Sequence, residues 1–265
     1  MPRISSPHNP RFKEAVRLVE SSRERRKSGR CVLEGDHLIA VYIERVGAPE
    51  TLIVIEDALA KPSVAALVDR VASADVLIVS TRMFASVTAM PPDIGMLAVV
   101  RTPSPTVAAP ARFCLLVENI QDPGNVGTIL RTAAAAGVAQ VWLSKGSAFA
   151  WSPKTLRAAQ GAHFLTTIIE GVDLVAWSTA FRTGGGHVAA LVAHRGDDLY
   201  ARELKWPLAL VIGNEGNGLS AALSDDADYR VRIPMAAGTE SLNAAAAAAV
   251  ALFECVRRQR VRSSK

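Results

Sequence analysis

The segment Arg232–Val250, RIPMAAGTESLNAAAAAAV, decides how the second half of this chain is interpreted. A strand-like stretch ends at a proline, a glycine bends the chain, and six alanines follow Asn243. Alanine has the highest helix propensity, so the run predicts a helix, which we place at Glu240–Arg258. Thr239 or Ser241 is expected to cap it. Asn243 is a poor helix former inside the first turns, so a polar side chain there needs another reason.

The composition is that of a soluble globular enzyme with one large or two modest domains. The chain has 265 residues, of which 49% are hydrophobic and 21% charged. No apolar run reaches the roughly 18 residues of a membrane span, and the N-terminus lacks the apolar core of a secretory signal. Cys31, Cys114 and Cys255 are too far apart for a disulfide framework or a zinc site. We therefore expect a cytoplasmic protein with three buried thiols and no membrane partner.

Positive charge is concentrated at both ends of the chain. Residues 1–30 hold nine Lys or Arg and three Glu, a net charge of +6, and the last nine residues hold five basic groups. Because the whole chain carries +5, the residues between these ends sum to −6. Basic ends suit a polyanion such as nucleic acid, although solvated tails that improve solubility explain the same pattern.

A proline-rich stretch, residues 101–112, predicts a linker between residues 1–104 and residues 111–265. Strand and helix patterns alternate on both sides of it, so both domains are predicted to be α/β. The first has no paired acids, His cluster or nucleophile motif, which favours a binding module. In the second, the strands Phe113–Val117 and Leu208–Ile212 are wholly apolar, as in a parallel sheet covered by helices on both faces.

Ligands of open parallel sheets bind outside the carboxyl ends of the strands, and three polar segments fall at such ends. Residues 118–127 include Asn125 and precede a helix whose early turns carry Arg131, a cation that opposes the helix dipole and so indicates an anionic partner. Residues 213–218, GNEGNG, match neither a phosphate loop nor a dinucleotide fingerprint. Glu215 would repel phosphate and suits a cationic or hydroxyl-bearing ligand. Ser241 to Asn243 form the third segment.

Taken together and in this order, NIQDPGNVGTILRTAAAAGV, LVIGNEGNGLS and IPMAAGTESLNAAAAAAV resemble the signature motifs of the SpoU (TrmH-like) branch of the SPOUT RNA methyltransferases. The resemblance covers about 150 residues, and the three motifs in order are highly specific. The N-terminal text, with NPRFKEAVRL and CVLEGDHLI, is similar to the ribosomal-protein-like α/β RNA-binding domain that often precedes this catalytic domain, although that match is looser.

The resemblance implies methyl transfer from S-adenosylmethionine to a ribose 2′-hydroxyl in RNA, a trefoil knot in the C-terminal domain, and a homodimer. It places the substrate and catalytic positions on Asn125, Arg131, Glu215, Ser241 and Asn243. It places the cofactor pocket on Gly213, Asn214, Ile233, Pro234, Met235 and Leu242. Ser241 and Asn243 would then face the ribose and Arg131, which answers why polar residues start an alanine helix.

Several alternatives stay open. Ribosomal RNA is the preferred substrate and tRNA the alternative, and a non-catalytic RNA-binding ribosome-assembly factor is the competing class. A nucleotide-binding oxidoreductase is excluded because no dinucleotide fingerprint is present. The five histidines show no ligand spacing, so no metal is expected.

Overall fold

The structure, a computed structural model, describes residues 1–71, 75–88, 95–104, 107, 109–239 and 241–263. The chain forms two compact units, one of Met1–Ser104 with Trp151–Phe164 and one of Pro105–Ala150 with Leu165–Lys265. Part of the predicted linker at residues 101–112, and the predicted helix start at Glu240, lie outside the described residues.

The regular elements alternate along both units. The strands are β1 (Arg3–Ile4), β2 (Arg30–Glu34), β3 (Thr51–Ile55), β4 (Asp75–Val79), β5 (Met96–Arg101), β6 (Phe113–Val117), β7 (Gln140–Ser144), β8 (Thr167–Val172), β9 (His187–Leu191), β10 (Asp197–Asp198), β11 (Leu208–Ile212) and β12 (Tyr229–Arg232). The α-helices are α1 (Pro10–Glu20), α2 (Ser22–Ser28), α3 (Asp36–Arg45), α4 (Pro62–Arg70), α5 (Thr81–Ala85), α6 (Pro123–Ala135), α7 (Pro153–Ala159), α8 (Leu174–Thr183), α9 (Ala221–Asp225) and α10 (Ala244–Ser263).

The first unit is built on a five-stranded mixed sheet in the order β1-β4-β3-β5-β2. Strands β1, β4 and β3 are parallel, whereas β5 is antiparallel to both of its neighbours. All five residues of β3 are buried, as are the apolar faces of α1, α3 and α4. The α/β prediction for this half is confirmed.

Residues 151–164, which the sequence places in the second domain, pack with the first unit. The ring of Phe164 meets Tyr42 edge-on at 5.2 Å between centroids. Arg157 of α7 forms an ion pair with Glu34 of β2, whose carboxylate is buried and also accepts a hydrogen bond from Thr88. The partners lie more than a hundred residues away in the sequence, so no local pattern indicates this packing.

The second unit is built on a seven-stranded sheet in the order β10-β12-β9-β11-β6-β7-β8, with every recorded pairing parallel. Every residue of β6 and β11 is buried, so the predicted burial of these strands on both faces is confirmed. On one face, Val188 and Val211 pack with Phe181 of α8 and Leu223 of α9. Helix α10 packs against α6.

The last helix begins four residues later than predicted. Asn243 is its N-cap, because its Oδ1 accepts hydrogen bonds from the N–H groups of Ala245 (2.9 Å) and Ala246 (3.3 Å). The expectation of a Thr239 or Ser241 cap is therefore wrong. An alanine run fits the middle of a helix and its first turn equally well, so it does not indicate where the helix starts.

The three cysteines are buried, as predicted. Burial raises the pKa of Cys31 and Cys255 to about 12 and that of Cys114 to about 11, so all three are thiols at neutral pH. In the described part of the chain, no helix combines the length and the apolar composition needed to cross a bilayer.

Replacing Arg157 by Ala should destabilise the first unit by about 2–3 kcal/mol, because it leaves the buried Glu34 carboxylate without its counter-ion. Urea denaturation followed by hydrogen exchange of the β2 amides measures the loss. The same change in a Glu34→Gln background should cost much less. Arg70→Ala, an exposed control on α4, should change stability by less than about 0.5 kcal/mol. Equal losses in both backgrounds would contradict the pairing.

Candidate active site

The parallel sheet brings the carboxyl ends of β9, β11 and β12 to one edge, where they surround a pocket of about 530 Å³. Seven of the predicted residues line it: Gly213, Asn214, Glu215, Ile233, Met235, Ser241 and Leu242. Asn125 and Asn243 lie beside it through hydrogen bonds described below, whereas Pro234 and Arg131 do not line it. The volume is within the range of small-molecule and cofactor sites.

The glycine-rich loop after β11 folds back on itself to form one wall. Asn214 and Gly218 exchange two backbone hydrogen bonds of 3.0 Å, and a Cβ on Gly213 would lie 2.4 Å from the carbonyl carbon of Gly218. Only glycine therefore fits at position 213. The far end of the loop is held by the buried Glu118, whose Oε2 accepts the Ser220 N–H at 2.8 Å. The loop is fastened at both ends to the scaffold.

Three predicted site residues from three separate segments, the first turn of α6, the loop after β11 and the start of α10, form one hydrogen-bonded chain. Asn243 donates from Nδ2 to Asn125 Oδ1 at 3.0 Å, and Asn125 donates from Nδ2 to Glu215 Oε1 at 2.9 Å. Asn243 also caps α10 with its own Oδ1. Both amide groups are thus oriented by their partners, and the carboxylate of Glu215 ends the chain at the pocket wall.

Glu215 is held in its ionised form. Burial alone would raise its pKa, but hydrogen bonds from the Asn125 side chain and from backbone N–H groups, including those of Gln121 and Asp122, outweigh burial and lower the pKa below 4.5. A carboxylate at the pocket wall favours a cationic or hydrogen-bond-donating ligand group. This agrees with the preference expected from the sequence.

Arg131 stands apart from this chain of hydrogen bonds. It is exposed on α6 and, within the described ranges, forms no hydrogen bond or ion pair. It is six residues beyond Asn125, which at about 100° per residue places the two on different faces of the helix. Among the described residues, the hydrogen-bond partner of the Asn243 amide nitrogen is Asn125. The expectation that Asn243 faces Arg131 stays a prediction.

Sequence reasoning missed the part of the pocket supplied by the end of β9. Val192, Ala193 and His194 line it, together with Leu219, Ser224 and Arg230. The available signal was positional, because these residues follow β9, a strand of the same parallel sheet as β11. In the described part of the chain, no group of three His, Cys, Asp or Glu side chains could hold a metal ion.

Fold and site together define a class: an α/β enzyme that binds a cofactor outside the carboxyl ends of parallel strands. Comparison with protein families makes this more specific. The chain belongs to the SpoU rRNA Methylase family, whose model matches residues 112–253. A model described as the MRM3-like substrate binding domain matches residues 9–98. The family predicted from the three motifs is confirmed.

Individual relatives agree over nearly the whole chain. The 23S rRNA (guanosine(2553)-2′-O)-methyltransferase RlmP of Bacillus subtilis (strain 168) is 32% identical, with 96% of this chain and 98% of the relative aligned. Mouse mitochondrial rRNA methyltransferase 3 is 28% identical over 97% of this chain and 74% of its own. The SpoU methyltransferase AviRb from Streptomyces viridochromogenes, solved with AdoMet, superposes with a TM-score of 0.84 at 26% identity, covering 95% and 98% of the two chains.

The lowered pKa of Glu215 predicts a pH-dependent stability. Its contribution is fully present above pH 4.5 and is lost as the pH falls through the lowered folded-state pKa. The melting temperature of wild type should therefore exceed that of Glu215→Gln near neutral pH, and the difference should shrink as the pH drops below 4.5. Glu20→Gln, an exposed control on α1, should show a small difference at every pH. A constant Glu215→Gln difference down to acid pH would contradict the hydrogen-bonded carboxylate.

Proposed function

We propose that this chain transfers a methyl group from S-adenosylmethionine to a ribose 2′-hydroxyl in ribosomal RNA. The observation that carries the proposal is the hydrogen-bonded chain from Asn243 through Asn125 to Glu215, placed at the rim of a cofactor-sized pocket in a SpoU-family fold. The relative RlmP, which aligns over almost its full length, is named for this reaction on 23S rRNA.

The pocket fits S-adenosylmethionine on two independent observations. Leu242 is a large apolar side chain that stays 40% exposed at the pocket lining, where a flat heterocycle would cover it. Glu215, which also lines the pocket, is ionised and complements a cationic group. When bound, the cofactor supplies a methyl group on a positively charged sulfonium. The residues that would hold it are Gly213, Asn214, Ile233, Met235 and Leu242, with Pro234 just outside the lining.

The amide and carboxylate groups of the site would orient the reacting hydroxyl. Methyl transfer to oxygen is an in-line displacement, so alignment of the hydroxyl is the main requirement. Asn125 and Asn243 are already fixed by the hydrogen bond between them, and the exposed Ser241 lies two residues before Asn243. Such pre-organised groups act without the cost of reordering at the moment of reaction.

Arg131 would bind an RNA phosphate close to the reacting ribose. A guanidinium does not deprotonate at neutral pH, so Arg131 is not the base that removes the hydroxyl proton. Its exposure and its lack of a partner within the described residues leave all its donors available to a phosphate. A phosphate held there would balance the positive charge and help to accept the proton.

Residues 1–104 would bind the RNA, as a ribosomal-protein-like domain, and residues 111–265 would carry out catalysis. Helices α1 and α2 expose a series of cations to solvent, which suits a phosphate backbone: Lys13, Arg17, Arg23 and Lys27. Ribosomal RNA is preferred to tRNA because two relatives that align over nearly all of this chain are named as rRNA methyltransferases. The site of action would be the cytoplasm.

We further propose that the second unit forms the family's trefoil knot and that two copies associate through α10. The support for association is an apolar stripe on the solvent side of this helix. Ala246 and Phe253 are exposed there, the latter 49%, seven residues apart and hence on one helical face. An exposed aromatic residue on an alanine-rich helix is typical of a protein interface.

Arg131→Ala should lower methyl incorporation from labelled S-adenosylmethionine into unmodified rRNA by about 100-fold, because one pre-organised electrostatic contact is lost. Arg131→Lys should recover only a small part of the lost activity, since Lys cannot form the bidentate hydrogen bonds with a phosphate that Arg forms. Lys205→Ala, an exposed cation in the same unit, serves as the control.

The RNA that takes up label, mapped to a ribose, also decides between rRNA and tRNA. Full activity of Arg131→Ala would exclude the proposed role of the guanidinium. No label in either RNA, with cofactor binding intact, would favour the non-catalytic assembly factor.

Phe253→Glu should convert the protein from dimer to monomer in light scattering after gel filtration, because it places a charge in the proposed interface. Val175→Glu, which changes a similarly exposed apolar residue on α8, should leave the mass unchanged. A wild-type monomer, or a dimer that survives Phe253→Glu, would rule out association through this face.

A further inference from the structure

Asn119, which no motif role accounts for, has an unusual backbone conformation directly after β6. Its φ is +55°, in the left-handed region that residues other than glycine rarely enter. Asparagine tolerates this region better than most residues and β-branched residues tolerate it worst. A conformation of this kind at the carboxyl edge of the sheet indicates that the backbone of Asn119 is held in a particular direction by its surroundings.

The carbonyl of Asn119 faces the glycine-rich loop after β11. It accepts a hydrogen bond from Asn214 Nδ2 at 2.7 Å, across 95 residues of sequence. The other end of the same amide, Asn214 Oδ1, accepts the N–H groups of Gly216 and Asn217 at 3.0 Å each. Asn214 thus links the Asn119 carbonyl to the turn that carries Glu215.

Two further polar groups of Asn119 are bonded to Ser144, the last residue of β7. Its N–H donates to Ser144 Oγ at 2.9 Å, and its Oδ1 accepts from the same hydroxyl at 3.0 Å. The amide occupies the space next to Gly146, where an added Cβ would lie 2.1 Å from Asn119 Oδ1. The side chain therefore anchors the residue, while the backbone carbonyl makes the contact toward the site.

We infer that Asn119 is a positioning residue for methyl transfer: its left-handed conformation aims its carbonyl at Asn214 and thereby sets the loop that holds Glu215 against Asn125. The inference rests on the proposed roles of Asn214 and Glu215. Among the described residues, Asn119 does not line the pocket and forms no hydrogen bond with a proposed catalytic residue, and its hydrogen bond toward the site is the one that it accepts from Asn214. It acts on the reaction through the geometry of the loop.

If conformation is the requirement, glycine should replace Asn119 and valine should not. Asn119→Gly keeps access to positive φ, so its kcat and its KM for S-adenosylmethionine should stay within about threefold of wild type. Asn119→Val must leave the left-handed region, which turns the carbonyl away. Its kcat should fall by about 30-fold or more and its KM for the cofactor should rise, in line with the cost of small misplacements in a reaction centre.

The kinetics are measured well below the unfolding temperature of each variant, with RNA affinity determined in parallel. A merely structural role would lower the melting temperature of Asn119→Val but leave kcat, cofactor KM and RNA affinity at wild-type values. The positioning role changes kcat and cofactor KM and leaves RNA affinity unchanged. Equal defects in the glycine and valine variants would overturn the inference, because the side chain would then be the required part.

A suppressor pair tests the same geometry from the opposite side. Gly146→Ala should lower kcat, because its Cβ would push the Asn119 amide from its place. Adding Asn119→Gly removes the amide that is pushed, so the double variant should regain activity close to that of Asn119→Gly alone. A double variant as defective as Gly146→Ala would count against the proposed route from this loop to Asn214.

Failure of this inference differs from failure of the proposed site. Glu215→Gln and Asn125→Ala are assayed beside the Asn119 variants. If these two lose activity while Asn119→Val retains it, the site stands and Asn119 has no positioning role. If they retain full activity, the proposed catalytic roles fail, and with them the reason for positioning the loop.

Discussion

The candidate site depends on one chain of side-chain hydrogen bonds, from Asn243 to Asn125 and on to Glu215. Its members are separated by 118 and 90 residues in the sequence, so neither bond arises from local structure. They meet because β6 and β11 are parallel neighbours whose carboxyl ends necessarily lie at one edge, and because α10 returns to pack on α6. Each of these two bonds therefore requires that the long connections between the segments are already folded.

In the second unit, the acidic and the basic residue of the candidate site lie on different surfaces. The ionised Glu215 faces the pocket, held by neutral amides and backbone N–H groups. Arg131 faces solvent on α6, without a partner among the described residues. The side chain that donates to Glu215 is the neutral amide of Asn125 and not an Arg or a Lys. The negative charge of the carboxylate therefore stays available to a ligand.

Much of the fold was predictable because burial on both faces leaves a plain pattern in the sequence. The predicted strands Phe113–Val117 and Leu208–Ile212 have the observed bounds, and each is wholly buried. The two-residue strands β1 and β10 are too short to show any period. The packing of residues 151–164 with the first unit depends on partners such as Glu34 and Tyr42, which local propensity does not contain. The predicted domain limits stay a prediction.

The site was predictable to the extent that its residues stand in motifs, and unpredictable where one residue serves two purposes. Asn243 looked like a poor choice inside a helix, yet its amide oxygen caps the helix, and the nitrogen of the same amide donates to Asn125. The same principle applies to Asn119, where a side chain bonded to Ser144 permits a backbone direction that Asn214 uses. Asparagine suits both positions because its amide can donate and accept at once and because it tolerates conformations outside helix and strand. In the sequence, such residues show only as breaks in a helical or strand pattern. Their function can be inferred only when the distant hydrogen-bond partner of each amide is known.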